Sequence, residues 1–411
     1  MDSNNSIGII ELGNINIKCL IFRINNDDAS EILSSSLVKS EGIHNSKIVN
    51  PVKAANAVRS CISIAEKKAK VFLKKINVVI EQPEFLCTKF SKHKKIDGSK
   101  IQKEDIEFLL KEAKKQVTLN DRTQKIIHIF NHNYIVDNKT FIEEPINVYA
   151  DFLRHEMTFI TMPKDNLKNI NQVFIDCDIE VERLISCTFS LGVELLNYKQ
   201  LQKGSILIDL GFEKTSLGIF KDLALIHILT LPIGVNHIVK DISKVCSLNL
   251  DESEIIKNNI DFSFIDNAKV FDDSDYLKKD FFNTSHFRKI KKSLIANVLK
   301  ARLNEILEII KKQIIVTGLN TNSETNIFIT GGGSNILNLE KYFSNFFDLN
   351  VKKIGVKSNE GKNEKNSYAN FSSCLGAFKI IKDGWETEAI PESVNKNGGK
   401  LGFFAGIFKG R

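Results

Sequence analysis

Apolar runs broken by short polar turns open the chain. IGIIELG (7–13), NIKCLIFRI (16–24) and EILSSSLVKS (31–40) follow one another with little between them, the pattern of an antiparallel meander. From Pro51 to Lys75 the pattern changes period: Val52, Ala55, Val58, Ile62, Ala65 and Ala69 recur at helical spacing, which predicts a crossover helix. INVVIEQP (76–83) then reads as a buried strand that joins the same sheet. Residues 84–164 behave differently, with a helix in KEDIEFLLKEAKKQV (103–117) between strand candidates IIHIFNHNYIVD and FLRHEMTFITMP, the outline of an inserted α/β module. A helix and a strand in NLKNINQVFIDCDIEVERLI lead back to the first lobe, so that lobe is expected over 1–83 and 165–203, with Lys203 and Gly204 as the hinge.

The second half repeats the plan. ILIDLG (206–211), TSLGIF (215–220) and LALIHILTLPIG (223–234) are again three strands in sequence. In both halves the first turn carries an acid, one residue and a glycine: Glu11-Leu12-Gly13 and Asp209-Leu210-Gly211. Two halves that start alike point to an internal duplication and a two-lobed α/β protein. The second lobe core is expected over 204–241 and 325–385, with a largely helical subdomain over 242–324. ETEAIPESVNKNGGK reads as a polar linker over 386–399.

Length and composition narrow this picture. A chain of 411 residues exceeds one hydrophobic core, and 42% hydrophobic with 26% charged residues is ordinary for a globular protein. A formal charge of +7 is modest, and lysines in AEKKAKVFLKK and SKHKKIDGSK, scattered without stacking aromatics, read as solvated surface rather than a nucleic-acid footprint. Cys19, Cys61, Cys87, Cys177, Cys187, Cys246 and Cys374 are odd in number and form no CxxC pair, so buried, reduced thiols are expected. No leader pattern and no window of roughly 18 apolar residues is present, which predicts a cytoplasmic protein whose membrane contact is peripheral.

The chemistry sits at three turns. Two hairpins that each offer backbone N–H groups and a carboxylate can clamp a nucleotide's phosphates between lobes, while Glu11 and Asp209 hold the water shell of Mg²⁺. Each acid taken alone is equally well a strand-end residue. TGGGSN (330–335) after NIFI supplies a third element, in which Gly331, Gly332 and Gly333 let backbone and ligand approach and Ser334 or Asn335 starts the next helix.

These three elements on a duplicated scaffold resemble the actin-like ATPase superfamily, and within it the chain resembles the FtsA family of bacterial cell-division proteins. The segments that carry the resemblance are IGIIELGNINIKCLIF, EGIHNSKIVN, the inserted module, LPIGVNHIVKDIS, ANVLKARLNEILEII, FITGGGSNILNLEKYF and FSSCLGAF. The resemblance implies a two-lobed actin-like fold of the ribonuclease H-like duplication type, with an FtsA-type inserted subdomain at 84–164. It implies ATP and Mg²⁺ as ligands, held by Glu11, Gly13, Asn14, Lys18, Asp209, Gly211, Lys214, Thr215 and the glycine turn, with Arg302 and Glu305 toward the adenosine. At the second loop Phe212, Glu213 and Lys214 stand where the family's pattern has glycines, and Asn14 stands for a hydroxyl residue in the first. Slow or absent hydrolysis is the expected consequence, decided by where Phe212 and Glu213 point.

The resemblance further implies self-assembly into filaments at the cytoplasmic face of the inner membrane, at the division site, with FtsZ and other division proteins as partners. The basic residues Arg288, Lys291 and Lys292 beside Ile290, Leu294 and Ile295 are candidates for an acidic FtsZ tail. In KLGFFAGIFKGR (400–411), Leu401, Phe403, Phe404, Ile407 and Phe408 share a helical face beside Lys409, the composition of an interfacial helix on an anionic membrane. A pilus-assembly adaptor of similar fold and a small-molecule kinase of the same superfamily are the rival readings.

Overall fold

The computed structural model describes residues 6–24, 30–141, 144–261, 270–319, 325–355, 368 and 370–382. Linker 386–399 and tail 400–411 lie outside the described residues.

The opening meander is β1 (Ser6–Leu12), β2 (Asn16–Ile24) and β3 (Ser30–Lys39), followed by a small hairpin of β4 (Ile43–His44) and β5 (Lys47–Ile48). Helix α1 (Pro51–Ala69) starts where Asn50 caps it, its side chain accepting from the Lys53 N–H at 3.1 Å, with Pro51 in the first turn. It ends at Lys70, which takes the left-handed conformation at φ 55°. Strand β6 (Lys75–Ile80) runs parallel to β1, and β11 (Glu180–Ser186) runs parallel to β6. The resulting sheet has the order β11-β6-β1-β2-β3. Ile9, Ile10, Leu20, Ile21, Val78 and Val79 are fully buried along it. Neighbouring β2 positions are buried together because helices cover the sheet, which explains the continuous apolar run in that strand.

Between β6 and β11 lies the insertion: β7 (Leu86–Lys100), α2 (Lys103–Asn120), β8 (Gln124–Val136), β9 (Lys139–Phe141) and β10 (Tyr149–Pro163), with sheet order β7-β10-β8-β9. Helix α2 seats Leu110, Ala113 and Val117 against Ile129, Met157 and Phe159. The lysine run SKHKKIDGSK, read from sequence as plain solvated surface, lies within the 15-residue strand β7. β7 is an edge strand, where lysines hold the side chains in water and discourage pairing with other chains. Helices α3 (Lys164–Ile175), α4 (Cys187–Leu195) and α5 (Tyr198–Lys203) complete this half.

The second half comprises β12 (Ser205–Leu210), β13 (Thr215–Lys221), β14 (Ala224–Leu231), α6 (Val235–Cys246), α7 (Leu250–Asn259), α8 (Lys292–Val316), β15 (Asn326–Thr330), α9 (Leu339–Phe347), β16 (Asn350–Lys353) and α10 (Ser372–Lys382). Its sheet has the order β14-β13-β12-β15-β16. In each half the third, second, first, fourth and fifth strands therefore lie side by side in that order, and the fourth and fifth run parallel to their neighbours. This repeated topology is the actin-like duplication that the paired acid-bearing turns pointed to.

Three boundaries differ from the expectation. Helix α6 begins at Val235, where Gly234 starts it directly after β14 and its turn, and so runs across the expected subdomain start at residue 242. Residues 270–291 carry isolated bridges and a short 3-10 turn at Lys279–Phe281 in place of a helix. Finally, the described residues divide into two compact units, those within 6–203 with 220–229 and 370–382, and those within 204–219 and 230–368. Helix α10, expected with the second lobe, belongs to the first unit, where it packs on α4 and on β1, β2 and β6. The approach to α4 is close: a Cβ at Gly376 would stand 1.9 Å from the Ser190 carbonyl oxygen.

All seven cysteines are free, and burial pushes the Cys61, Cys87 and Cys246 thiols up to about 11, which leaves them unreactive. Among the described residues no helix is long and apolar enough to cross a membrane.

Candidate functional site

In the first unit, β1 and β2 bring Glu11 opposite Lys18. The Lys18 ammonium donates to Glu11 Oε2 at 2.9 Å, and the Ser373 hydroxyl of α10 donates to the same oxygen. Burial works against the Lys18 ammonium, but the Glu11 carboxylate outweighs it and the lysine pKa is raised. Cys374 lies beside the pair, its thiol pushed up by burial and by the Glu11 charge. Gly13 closes the turn because a Cβ there would stand 2.5 Å from the Asn16 carbonyl oxygen. Asn14, in place of a hydroxyl residue, accepts from the Ser46 N–H at 2.7 Å and ties the turn to the β4–β5 hairpin.

In the second unit the equivalent turn is held by backbone. The Gly211 N–H donates to the Lys214 carbonyl at 2.9 Å. The first N–H groups of α6 donate to the turn, Val235 to the Gly211 carbonyl at 3.0 Å and Asn236 to the Phe212 carbonyl at 2.8 Å. These helix-start donors, the groups an anion would otherwise use, are thus occupied by the protein itself. A Cβ at Gly234 would come within 2.4 Å of the Phe212 carbonyl oxygen, so a side chain there would prise turn and helix apart. The Phe212 ring is 36% exposed and so is not packed into the core, while Glu213 and Lys214 are half-buried. Thr215 is buried and donates to the Ile233 carbonyl at 2.7 Å.

The glycine turn adjoins Asp209, which is paired with Thr330 across the parallel strands. Gly331 holds φ at +86°, and a Cβ on it would stand 2.2 Å from Asp209 Oδ1. Gly332 faces open space, and Gly333 is pressed on Leu210 and Val235. Ser334 is buried and donates to the Gly331 carbonyl at 2.7 Å, closing a 3-10 turn at Gly332–Asn335. The expected direct start of a helix at Ser334 or Asn335 is replaced by this turn, and α9 begins at Leu339. Asp209 and the glycine turn thus lie together within this unit, with open space at Gly332.

Arg302 and Glu305 lie on α8. The Arg302 guanidinium forms a fork on Asp241 of α6, at 2.7 and 3.1 Å, and donates to Glu305 at 2.6 Å. The fork raises the arginine pKa and commits the side chain to joining the two helices. Arg288 donates to the Cys246 carbonyl at 3.2 Å and to the Ser247 carbonyl, completing the C-terminus of α6. Beside it runs a groove of about 610 Å³, lined by exposed Val245 and Leu294 with Tyr276, Lys289 and Lys291. Lys292 lies 3.6 Å from Asp275 in an adjoining hollow.

Comparisons with known proteins bear on the family and the fold. A family model described as "Cell division protein FtsA" matches residues 206–376, and one described as "SHS2 domain inserted in FTSA" matches residues 86–161. The chain belongs to the FtsA family. FtsA of Bacillus subtilis (strain 168) is 25% identical over 339 residues, covering 81% of this chain and 74% of its own. FtsA of Buchnera aphidicola subsp. Acyrthosiphon pisum is 23% identical over 410 residues, covering 97% and 95%. Among solved structures, a chain of the "PilM-PilN type IV pilus biogenesis complex" shares the fold, with a TM-score of 0.61 at 10% identity, covering 90% of this chain and 96% of that one. The FtsA insertion thus coincides with the β7–β10 module.

Several residues of the site escaped the sequence reading. Ser373 is separated from Glu11 by 362 positions, and no local pattern links them. Asp241 and Ser46 are single polar residues whose partners come from other elements. Gly234 was visible only as the end of an apolar strand.

Proposed function

We propose that this FtsA-family chain is a membrane tether for division filaments: it assembles on the cytoplasmic face of the membrane, holds FtsZ there, and carries ATP with Mg²⁺ as a structural ligand more than as a fuel. The observation that carries this reading is the β7–β10 insertion in an actin-like duplication, because other branches of that superfamily place different subdomains there. The groove beside α8 supports the choice of partner: exposed Val245 and Leu294 offer apolar seats and Lys289 and Lys291 border them, a surface suited to a short acidic and apolar peptide such as the FtsZ tail. The self-occupied second turn supports slow turnover, since donors that would stabilise a transferring phosphoryl group are already engaged. The tail, with Phe403, Phe404, Ile407 and Phe408 beside Lys409, supplies the membrane contact in this reading.

Co-sedimentation of FtsZ with anionic liposomes tests it, using the full chain and a version ending at Gly399. FtsZ is expected to pellet only with the full chain. Recovery of FtsZ with neither version overturns the tether reading, and recovery with both overturns the role of the tail. Lys291→Glu is expected to weaken FtsZ capture without changing liposome binding.

A further inference from the structure

The β4–β5 hairpin turns through two residues in the left-handed conformation, Asn45 at φ 47° and Ser46 at φ 61°. Neither is glycine, so the turn persists because its surroundings hold it. Ser46 is held on both sides of its backbone. Its N–H donates to Asn14 Oδ1 at 2.7 Å, and its carbonyl accepts from the Gln82 side-chain amide at 3.0 Å. Gln82 stands two positions past the end of β6 and is only 1% exposed. Its own amide oxygen accepts from the Asn166 side chain of α3 at 3.0 Å. The neighbouring Glu81 fixes the same stretch of chain to the start of α4, accepting from the Ser186 hydroxyl at 3.0 Å and the Thr188 N–H at 2.7 Å. Three side-chain hydrogen bonds therefore run from α3 through the hairpin to the turn after β1, all within the first unit.

We infer that Gln82 is a positioning residue for nucleotide binding at the first phosphate turn: it holds Ser46, Ser46 holds Asn14, and the turn keeps the form that receives a phosphate. The inference rests on the nucleotide part of the tether reading above. Its physical basis is preorganisation. A turn of backbone donors binds an anion well when the donors already stand in place, whereas the cost of ordering a loose turn is subtracted from affinity. The Asn14 carboxamide reaches the hairpin, so the shape of the phosphate turn depends on where Ser46 stands. Removing the Gln82 amide takes a buried donor from the Ser46 carbonyl and lets two left-handed residues relax toward ordinary backbone. Gln82 touches no phosphate in this account and acts through Ser46 and Asn14.

The test measures Mg-ATP affinity by titration and amide hydrogen exchange of residues 42–50, on the full natural chain and on Gln82→Leu, Asn14→Ala and the double variant. Gln82→Leu is expected to speed exchange in the hairpin and to weaken Mg-ATP about fivefold, the size of one hydrogen bond. In the Asn14→Ala background the same change is expected to alter affinity less than about twofold, because the link to the turn is already cut. A general loss of packing would weaken both backgrounds alike. Asn166→Ala leaves Gln82 its bond to Ser46 but removes its anchor on α3, and a loss of about twofold is expected from this milder change, which also serves should Gln82→Leu fail to fold. Lys47→Ala is the control: it breaks the ion pair of the hairpin with Glu84 and leaves the buried bonds alone, so affinity should match the natural chain. If the natural chain binds Mg-ATP and Gln82→Leu or, in its stead, Asn166→Ala binds it as tightly, or if the losses from Gln82→Leu and Asn14→Ala simply add, the positioning role is overturned while the tether reading stands. If the natural chain takes no Mg-ATP, the positioning role and the nucleotide part of the tether reading fall together.

Discussion

At the turn after β1 the acid is gripped by two side chains, Lys18 from the next strand and Ser373 from the far end of the described chain. At the turn after β12 the loop is gripped by backbone, with N–H groups of Val235 and Asn236 at the start of α6 holding the carbonyls of Gly211 and Phe212. Both turns occupy the same place in the same strand order. A carboxylate held by side chains can exchange partners by rotating a few bonds, whereas a loop tied to a helix start moves only if the helix start moves with it. The duplication has thus preserved topology while changing what holds each turn.

The largest expected effect separates the two acids. Glu11→Ala strands a part-buried Lys18 ammonium and is expected to cost about 3 kcal/mol of stability. Asp209→Ala leaves the backbone grip on its turn intact and is expected to cost about 1 kcal/mol. Urea midpoints for the two variants check this, and equal losses would break the comparison. Next in size is Gly234→Ala. Its added methyl would overlap the Phe212 and Gly211 carbonyls, at a cost of about 2 kcal/mol, and hydrogen exchange should rise at 211–214 and in the first turn of α6 while β1 and β2 stay protected.

The smallest effect per substituted or titrating side chain in this series is a pH difference between units. His128 is buried on β8, accepts from the Ser186 N–H at 2.9 Å, and is held by burial near about 3. His155, buried against the Tyr134 ring, is likewise depressed to about 3. In the unfolded chain these imidazoles take up protons near their ordinary value of 6.5, while the folded ones remain neutral down to about 3. Folding stability of the first unit is therefore lost as pH falls below 6.5, by about 1.4 kcal/mol per histidine between pH 7.5 and 5.5. The second unit carries Glu252, which burial alone would push up. Donors from Ser285 Oγ and the N–H groups of Ser285, Thr284 and Asn249 outweigh burial and bring it down to about 2. Its contribution is complete above 4.5 and is lost only as pH falls from there toward 2. Hydrogen exchange at pH 5.5 and 7.5, corrected for intrinsic rates, should show β8 and β10 loosening while α7 does not. Loosening of α7 first would reverse the assignment.

The readable and unreadable parts of the chain divide along one line. Period and punctuation along the sequence carried the repeated meander, the helix from Pro51 and the insertion, because each is set by neighbours within a few turns. The solvated-surface reading of the lysine run at 91–100 agrees with exposed Lys95 and Lys100, and only its partner β10 shows that the run is an edge strand. Arg302 and Arg288 looked like surface or ligand-facing cations, and their partners, Asp241 and the last carbonyls of α6, lie 61 and 42 positions away.

The amino-acid sequence by itself determined the duplicated scaffold, the site of the insertion, the acids at both turns and the amphipathic character of residues 400–411. These rest on local conformational preference and on burial periodicity, which act within short stretches. Only the tertiary structure decided that Ser373 meets Glu11, that α6 occupies the second turn with its own N–H groups, and that α10 belongs to the first unit. Such pairings arise when the packing of whole elements brings distant residues together, and a hydrogen-bonding group in the sequence does not specify which partner it will find.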